Sequence, residues 1–195
     1  DVYFYELAKL CGIEGIAAAA RKLGLGSAYD CGIGGQKPGL IPDRAWKQAA
    51  LNNRWYPGET LLAAIGQGYV LTTPLQLAVM TARLATGRAI EPKLVRPDHG
   101  RPVAPAAALA FDPKGLELVR MGMVAAVNDS GGTASSAYLP IRGAVMAGKT
   151  GTAQVTRLSR GRSSASLERK LRDHSLFVGF APAAAPRYAV AGIVE

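Results

Sequence analysis

The sequence predicts an α+β fold, with helices and loops over residues 1–142 and an antiparallel sheet over residues 143–195. Apolar residues recur at helical spacing in the first part, whereas the last part contains short runs rich in β-branched and apolar residues. The chain has 195 residues, of which 49% are hydrophobic, so it can bury a core. We therefore expect all of it to belong to one domain.

The first helical region is predicted to have two segments followed by a long loop. Residues 3–10 carry apolar side chains at helical spacing, and "IEGIAAAARKLG" extends the pattern to Gly24, a residue typical of helix C-termini. Residues 26–58 are rich in Gly, Pro, Asn and Asp, which predicts that they are mostly loop. We expect the aromatic residues of this stretch to anchor it on the core: Trp46, Trp55 and Tyr56.

Two further helices have clear start and stop signals. Thr73 and Pro74 suit the N-cap and the first helical position of one helix, and Gly87 ends it. The other begins at residues 112–113, Asp-Pro, and is interrupted by "SGGT" at residues 130–133. The apolar stripe of the first of these helices comprises Leu75, Leu77, Ala78, Ala82, Leu84 and Ala85.

The last 50 or so residues are interpreted as a strand, a long basic loop and two more strands. The strand-like runs are "VMAGKTGTAQV", "HSLFVGFAP" and "RYAVAGIVE", and the last two are separated by a short segment containing Pro182 and Pro186. Because consecutive strands with such connections pair in opposite directions, we expect an antiparallel sheet.

The charge of the chain does not predict nucleic-acid binding. Lys and Arg number 23 against 14 Asp and Glu, and six of these basic residues lie in the loop 157–172. No aromatic residue lies among them, so base stacking is not indicated and a solvated loop is favoured. The role of this loop stays open. The basic residues are Arg157, Arg160, Arg162, Arg169, Lys170 and Arg172.

The sequence predicts neither a metal site nor a cofactor. His99 and His174 are far apart, and Cys11 and Cys31 have no zinc-ligand spacing. The two cysteines fit small apolar fillers, and their pairing in an oxidising compartment stays open. No apolar run reaches the roughly 18 residues that a membrane span needs.

The stretch "GAVMAGKTGTAQV", residues 143–155, fits two motifs that predict unrelated chemistry. Gly143 to Thr150 satisfy the nucleotide-binding pattern G-x-x-x-x-G-K-[ST]. That motif needs a buried strand before it and a helix after it, because the helix N-terminus binds the phosphates. Here "YLPIR" precedes it, and a segment rich in Gly, β-branched and basic residues follows it. The context therefore favours the second motif, the K-T-G box of serine enzymes that react with penicillin.

The residue types of the K-T-G box suit the binding of a substrate carboxylate on a strand. Lys149 supplies a positive charge that binds the carboxylate and tunes the proton of a nearby hydroxyl, and Thr150 and Thr152 supply hydroxyls. Gly151 lacks a Cβ, so a substrate backbone can approach the strand closely. The backbone N–H of Thr152 is a candidate oxyanion-hole donor.

Several long segments resemble class B penicillin-binding proteins, nearest to their elongation-type group, penicillin-binding protein 2. They are "DVYFYELAKLCGIEGI", "WYPGETLLAAIGQGYVLTTPLQLAVMTARLATG", "EPKLVR", "AGKTGTAQV" and "HSLFVGFAP…PRYAVAGIVE", in that order. Together they cover nearly all of the chain except the basic loop, and they resemble the C-terminal half of the transpeptidase domain.

The resemblance implies a fold like that of serine β-lactamases, with a five-stranded antiparallel sheet flanked by helices and a helical subdomain. Asp1 resembles the last residue of the family's S-x-D motif, and Gln67 in "IGQG" matches a signature that we interpret as loop support before the Pro74 helix. The chain contains no S-x-x-K. We therefore expect a fragment whose nucleophilic serine and membrane anchor lie upstream, and from which the family's C-terminal helix is also missing.

The function implied is a peptidoglycan D,D-transpeptidase that cross-links stem peptides through a serine acyl-enzyme and is a target of β-lactam antibiotics. The implied partners are stem peptides, β-lactams, a glycosyltransferase and membrane proteins of the elongation complex, at the periplasmic face of the bacterial inner membrane. No cofactor is implied. The alternatives are a serine β-lactamase or penicillin-sensing domain, and a non-catalytic scaffold of the same fold.

Overall fold

Helices precede strands along the chain, as predicted for an α+β fold. The computed structural model describes residues 2–32, 34–95, 104–155, 168 and 171–195. Asp1, His99 and most of the basic loop 157–172 lie outside the described residues. The elements are α1 (Val2–Lys22), α2 (Arg44–Leu51), α3 (Pro57–Ala64), α4 (Pro74–Thr86), α5 (Pro113–Asn128), a 3-10 turn (Ser135–Ala137), β1 (Ala147–Ala153), β2 (His174–Ala181) and β3 (Tyr188–Val194).

The described residues form two compact units. The first lies within residues 1–76 and 89–107, and the second within residues 77–88 and 108–195. Helix α4 contributes residues to both units. The assignment of residues 1–195 to a single transpeptidase domain stays a prediction.

Helix α1 is interrupted at Gly12, which agrees with the two helical segments expected from the sequence. Gly12 has φ 66° and ψ 167°, a backbone conformation that a Cβ disfavours. Beyond the helix, Gly24 has φ 97° and the Leu25 N–H donates to the Ala20 carbonyl at 3.0 Å, the pattern of a Schellman end. Helix α1 packs against α3, and its buried residues are Ala8, Ile13 and Ala17.

The predicted loop over residues 26–58 is wrong in part, because α2 lies inside it. The Asp43 carboxylate caps this helix by accepting the Trp46 N–H at 2.7 Å. That backbone hydrogen bond and an ion pair with Arg21 at 2.6 Å outweigh partial burial and hold the pKa of Asp43 below its ordinary value. With eight residues, α2 is too short to show the repeated apolar stripe that identifies longer helices.

The first unit also buries a lysine. Lys47 of α2 is 2% exposed and forms an ion pair with Glu59 of α3. The Lys47 Nζ lies 4.6 Å from the ring centroid of Tyr56, 5.9 Å from that of Trp55 and 5.8 Å from that of Tyr69, within cation–π range. Burial alone would raise the pKa of Glu59, but hydrogen bonds from the Lys47 ammonium and the Tyr56 N–H outweigh it and hold that pKa below its ordinary value. Trp55 and Tyr56, two of the aromatic residues expected to anchor this segment, therefore lie beside a buried charge.

Helix α4 begins and ends at the predicted residues. The Thr73 hydroxyl accepts the N–H of Gln76 at 3.2 Å, and Gly87 follows the helix with φ 67°. Its fully buried residues differ from the expected stripe, however. They are Gln76, Val79, Thr81 and Ala85, of which only Ala85 belongs to that stripe.

The two buried polar residues of α4 have hydrogen-bond partners. Gln76 Nε2 donates to the carbonyls of Ser27 and Pro38, both at 2.8 Å, so it joins the preceding loop to the helix. The Thr81 hydroxyl donates to the Leu77 carbonyl of its own helix at 2.7 Å. Both side chains can therefore be buried without an unpaired polar group.

In the second unit, α5 packs against a three-stranded antiparallel sheet of order β1-β2-β3. Asp112 caps α5 by accepting the Gly115 N–H at 3.0 Å, as its position before Pro113 predicts. Strand β1 pairs with β2 from Ala147 opposite Phe180 to Ala153 opposite His174. The core beneath this sheet consists of Ala85, Met123, Ala147 and Phe180.

The first strand starts later than the change in sequence character at Gly143. Gly143 has φ 80°, and the Ala144 N–H donates to the Ile141 carbonyl at 3.1 Å, which makes a turn.

Cys11 and Cys31 are free thiols, so the structure contains no disulfide between them. Among the described helices, none is long and apolar enough to cross a membrane.

Candidate functional site

The four residues of the predicted site lie next to one another on β1. Among the described strands, β1 pairs with β2 only, so it forms an edge of the sheet. Lys149, Gly151 and Thr152 are exposed and Thr150 is half-buried, whereas the first two residues of the strand are buried. The strand is therefore fixed at its start and accessible along the K-T-G box.

Helix α5 fixes the start of β1 through an amide side chain. Asn128 Nδ2, at the last position of α5, donates to the carbonyl of Met146 at 2.8 Å and to that of Val124 at 2.7 Å. Ala147, the next residue, is fully buried in the core of this unit. The K-T-G residues are thus positioned by two residues that come before them in the chain: Met146, through its hydrogen bond, and Ala147, through its packing.

A phenyl ring covers the strand just before the K-T-G box. A Cβ built on Gly148 would lie 2.6 Å from Phe177 Cζ, and one built on Gly179 would lie 3.0 Å from Phe177 Cε1. Gly148 and Gly179 are register partners on β1 and β2. The ring therefore packs over two facing glycines, and no larger residue fits under it without displacing it.

Lys149 and Thr150 place an ammonium beside a hydroxyl. Lys149 Nζ donates to the Thr150 carbonyl at 2.8 Å and lies 3.4 Å from Thr150 Oγ1. Lysine has three donors and no acceptor, and the exposed ammonium is suited to bind an anion. The arrangement fits the predicted binding of a carboxylate.

Packing against the described residues does not require glycine at position 151. A Cβ at Gly151 would meet only Leu176 Cβ, at 3.5 Å, which is ordinary van der Waals contact. Glycine at this position leaves space for a molecule that lies against the strand. Thr152 is opposite Ser175 and exposed, and its role as an oxyanion donor stays a prediction.

A threonine that the sequence reasoning missed also reaches the site. The segment "SGGT" was interpreted only as a helix breaker, but Thr133 Oγ1 lies 3.3 Å from Thr150 Oγ1. The signal was a hydroxyl residue directly after a glycine pair, in a loop that precedes the K-T-G strand. The position of the Thr133 side chain relative to β1 depends on the folded structure, so the sequence alone does not predict this contact.

The second unit also contains a cavity that shares no residue with this site. A cavity of about 470 Å³ lies in the second unit between α5 and the β2–β3 connection, and none of its lining residues is a predicted site residue. No group of three or more His, Cys, Asp or Glu in the described part of the chain is placed to hold a metal ion. Asp1, the fifth predicted site residue, lies outside the described residues.

The comparison with known sequences covers the whole chain. The sequence profile of the family "Penicillin binding protein transpeptidase domain" matches residues 1–195. The chain is 36% identical over 203 residues to the peptidoglycan D,D-transpeptidase MrdA of Acinetobacter baumannii, and 32% identical over 206 residues to that of Salmonella typhimurium. These alignments include 100% of this chain but 30% and 33% of the relatives, so the chain spans about a third of their length.

Solved structures give the same result for the fold. Penicillin-binding protein 2 of Pseudomonas aeruginosa, in complex with WCK 5153, superposes with a TM-score of 0.80 at 40% identity, over 100% of this chain and 42% of that one. The same protein of Helicobacter pylori, in complex with MreC, gives a TM-score of 0.84 at 32% identity, over 100% of this chain and 34% of that one. The predicted fold class and the resemblance to penicillin-binding protein 2 are confirmed, and this chain belongs to the penicillin-binding protein transpeptidase family.

Proposed function

We propose that the full-length protein is a peptidoglycan D,D-transpeptidase and that β1 is the strand against which its substrate binds. The observation that carries the proposal is the exposed edge strand on which the Lys149 ammonium lies beside the Thr150 hydroxyl. The names of the relatives support it, since both are peptidoglycan D,D-transpeptidases.

An edge strand binds an extended peptide by strand addition. Its unpaired backbone groups hydrogen-bond the peptide, and neighbouring side chains select the residues. The D-Ala-D-Ala end of a stem peptide presents a carboxylate, which the Lys149 ammonium and the Thr150 hydroxyl are suited to bind. Gly151, where a Cβ would meet only an ordinary contact within the chain, leaves room for the peptide backbone.

The reaction is acyl transfer through a serine of an S-x-x-K motif, which the 195 residues do not contain. The serine oxygen attacks the carbonyl carbon of the D-Ala-D-Ala amide, the C–N bond breaks, and the terminal D-Ala leaves with the proton as a free amine. The amine of a neighbouring stem peptide then attacks the ester, which forms the cross-link and regenerates the serine. In this scheme the Thr152 N–H stabilises the oxyanion and Asp1 completes the S-x-D motif beside the serine.

The same proposal includes partners and location. β-Lactams acylate the serine because they combine a reactive amide with a carboxylate. A Helicobacter pylori neighbour was solved in complex with MreC, and another neighbour is described as a peptidoglycan synthase complex. We accordingly propose a glycosyltransferase and elongation-complex membrane proteins as partners, at the periplasmic face of the inner membrane.

Replacing Lys149 by Ala in the full-length protein tests the proposal. We expect the second-order rate of acylation by a fluorescent penicillin to fall about 10- to 150-fold, because a charge-assisted hydrogen bond to the carboxylate is lost. Lys149 is exposed, so the melting temperature should change little. Lys114→Ala is the matched control, because it removes an exposed lysine from α5 and should leave acylation unchanged.

The other possible results of these labelling experiments distinguish the alternative functions. Unchanged acylation of Lys149→Ala would refute the role of the β1 ammonium. Rapid turnover of penicillin by the unaltered protein would identify a β-lactamase, and complete absence of labelling would favour a non-catalytic scaffold. Slow hydrolysis of a stable acyl-enzyme is the result expected of a transpeptidase.

A further inference from the structure

Two threonine hydroxyls meet beside the Lys149 ammonium. Thr150 Oγ1 lies 3.3 Å from Thr133 Oγ1 and 3.4 Å from Lys149 Nζ. All three residues belong to the second unit. Thr133 comes from the loop after α5, about 17 positions before its partner, so the contact is a product of folding and not of sequence proximity.

The loop that carries Thr133 is fixed on both sides of it. A Cβ on Gly132 would lie 2.3 Å from the Ala126 carbonyl oxygen, so only glycine fits there. Ala134 is 1% exposed, and its N–H donates to the same Ala126 carbonyl at 2.9 Å. With both neighbours held against the end of α5, the Thr133 hydroxyl has a defined position relative to β1.

The donor and acceptor capacities of the three groups limit which hydrogen bonds the Thr150 hydroxyl can form. The Lys149 ammonium can only donate, so it occupies a lone pair of Thr150 Oγ1. Thr150 has one hydroxyl hydrogen, which it donates to Thr133 Oγ1 across 3.3 Å. If that hydrogen turns to a carboxylate, the Thr133 hydroxyl can reverse and donate to Thr150 instead, because a hydroxyl is both donor and acceptor.

We propose that Thr133 is a positioning residue for carboxylate binding: it holds the Thr150 hydroxyl in place and, by reversing its own hydrogen bond, lets Thr150 donate to the carboxylate of a stem peptide or β-lactam. This rests on the proposed function. Thr133 acts through Thr150, so its effect belongs to ligand binding before acylation and not to the chemical step.

Valine and serine substitutions test this role in the full-length protein. Thr133→Val removes the hydroxyl and keeps the shape, whereas Thr133→Ser keeps the hydroxyl. For acylation by penicillin we expect Thr133→Val to raise the apparent dissociation constant about 3- to 10-fold, with the limiting acylation rate unchanged. Thr133→Ser should bind as the unaltered protein does. In a Thr150→Val background, Thr133→Val should have no further effect, because the partner through which it acts is gone.

Three outcomes would overturn the proposal: wild-type binding by Thr133→Val, an undiminished effect of Thr133→Val in the Thr150→Val background, or a Thr133→Ser variant as weak as the valine variant. Melting temperatures of all variants separate loss of binding from loss of folding. These failures are distinguishable from failure of the proposed function, since the loss of acylation in Lys149→Ala does not depend on Thr133.

Discussion

Two glycines of β1, Gly148 and Gly151, should differ in how alanine at each position affects stability and acylation. At Gly148 a Cβ would lie 2.6 Å from Phe177 Cζ and 3.0 Å from the Val178 carbonyl oxygen. At Gly151 the nearest atom would be Leu176 Cβ, at 3.5 Å. The same methyl group is therefore an overlap at one position and an ordinary contact at the other.

The expected magnitudes follow from these distances. Gly148→Ala forces the ring of Phe177 off the strand, and overpacking of this kind costs about 1–3 kcal/mol of unfolding free energy. Gly151→Ala should change it by less than about 0.5 kcal/mol, or raise it slightly, because alanine has less conformational entropy to lose than glycine. For the rate of acylation by penicillin we expect the larger loss in Gly151→Ala, because its methyl group obstructs a ligand that lies against the strand.

The assay is thermal unfolding together with fluorescent-penicillin labelling, both on the full-length protein. Gly148→Ala should lower the melting temperature by several degrees. Gly151→Ala should melt with the unaltered protein while its acylation rate falls. Equal melting temperatures for the two variants would refute the packing argument, and full acylation by Gly151→Ala would refute the ligand argument.

The remaining predictions concern stability and are measured by urea unfolding. Glu59→Gln should lower the free energy of unfolding by about 3–5 kcal/mol, because the buried Lys47 loses its ionic partner, and a double Lys47→Met, Glu59→Leu variant should recover most of that loss. The pKa of Glu59 is lower in the folded state, so its stabilisation is present above the unfolded pKa and is lost as the pH falls through the folded pKa. Glu59→Gln should accordingly flatten the acid side of the stability profile, and an unchanged profile would contradict the assignment. Asn128→Ala should cost about 1–2 kcal/mol, because the carbonyls of Met146 and Val124 lose the side-chain amide as a donor. A loss below about 0.3 kcal/mol would show that water replaces the amide.

The sequence predicted elements with strong local signals. Thr73 and Asp112 cap α4 and α5 as expected, and Gly87 ends α4. The strands were predicted from their residue types, and the short connection between β2 and β3 favours antiparallel pairing of those two. The K-T-G residues were predicted as a group because they are contiguous, so one strand assignment places all four.

Features that depend on distant contacts were missed. Gln76 is buried because carbonyls almost 40 or more residues earlier accept its amide, and nothing in its own helix shows this. Lys47 is buried because α3 and a later turn supply Glu59 and Tyr69. Thr133 reaches the site only because β1 pairs where it does. In each case the partner lies outside the window in which a sequence pattern can be detected.

The open edge of β1 carries a further consequence, for self-association. An unpaired strand edge is a template on which a second copy of the same strand can assemble, and proteins often place lysine there to prevent it. Lys149 stands on this edge, exposed, beside the small residue Gly151. The positive charge of Lys149 repels the same charge on another copy of β1. One side chain thus opposes polymerisation through the edge of β1, and under the proposed function it does so on the strand that the peptide ligand would bind.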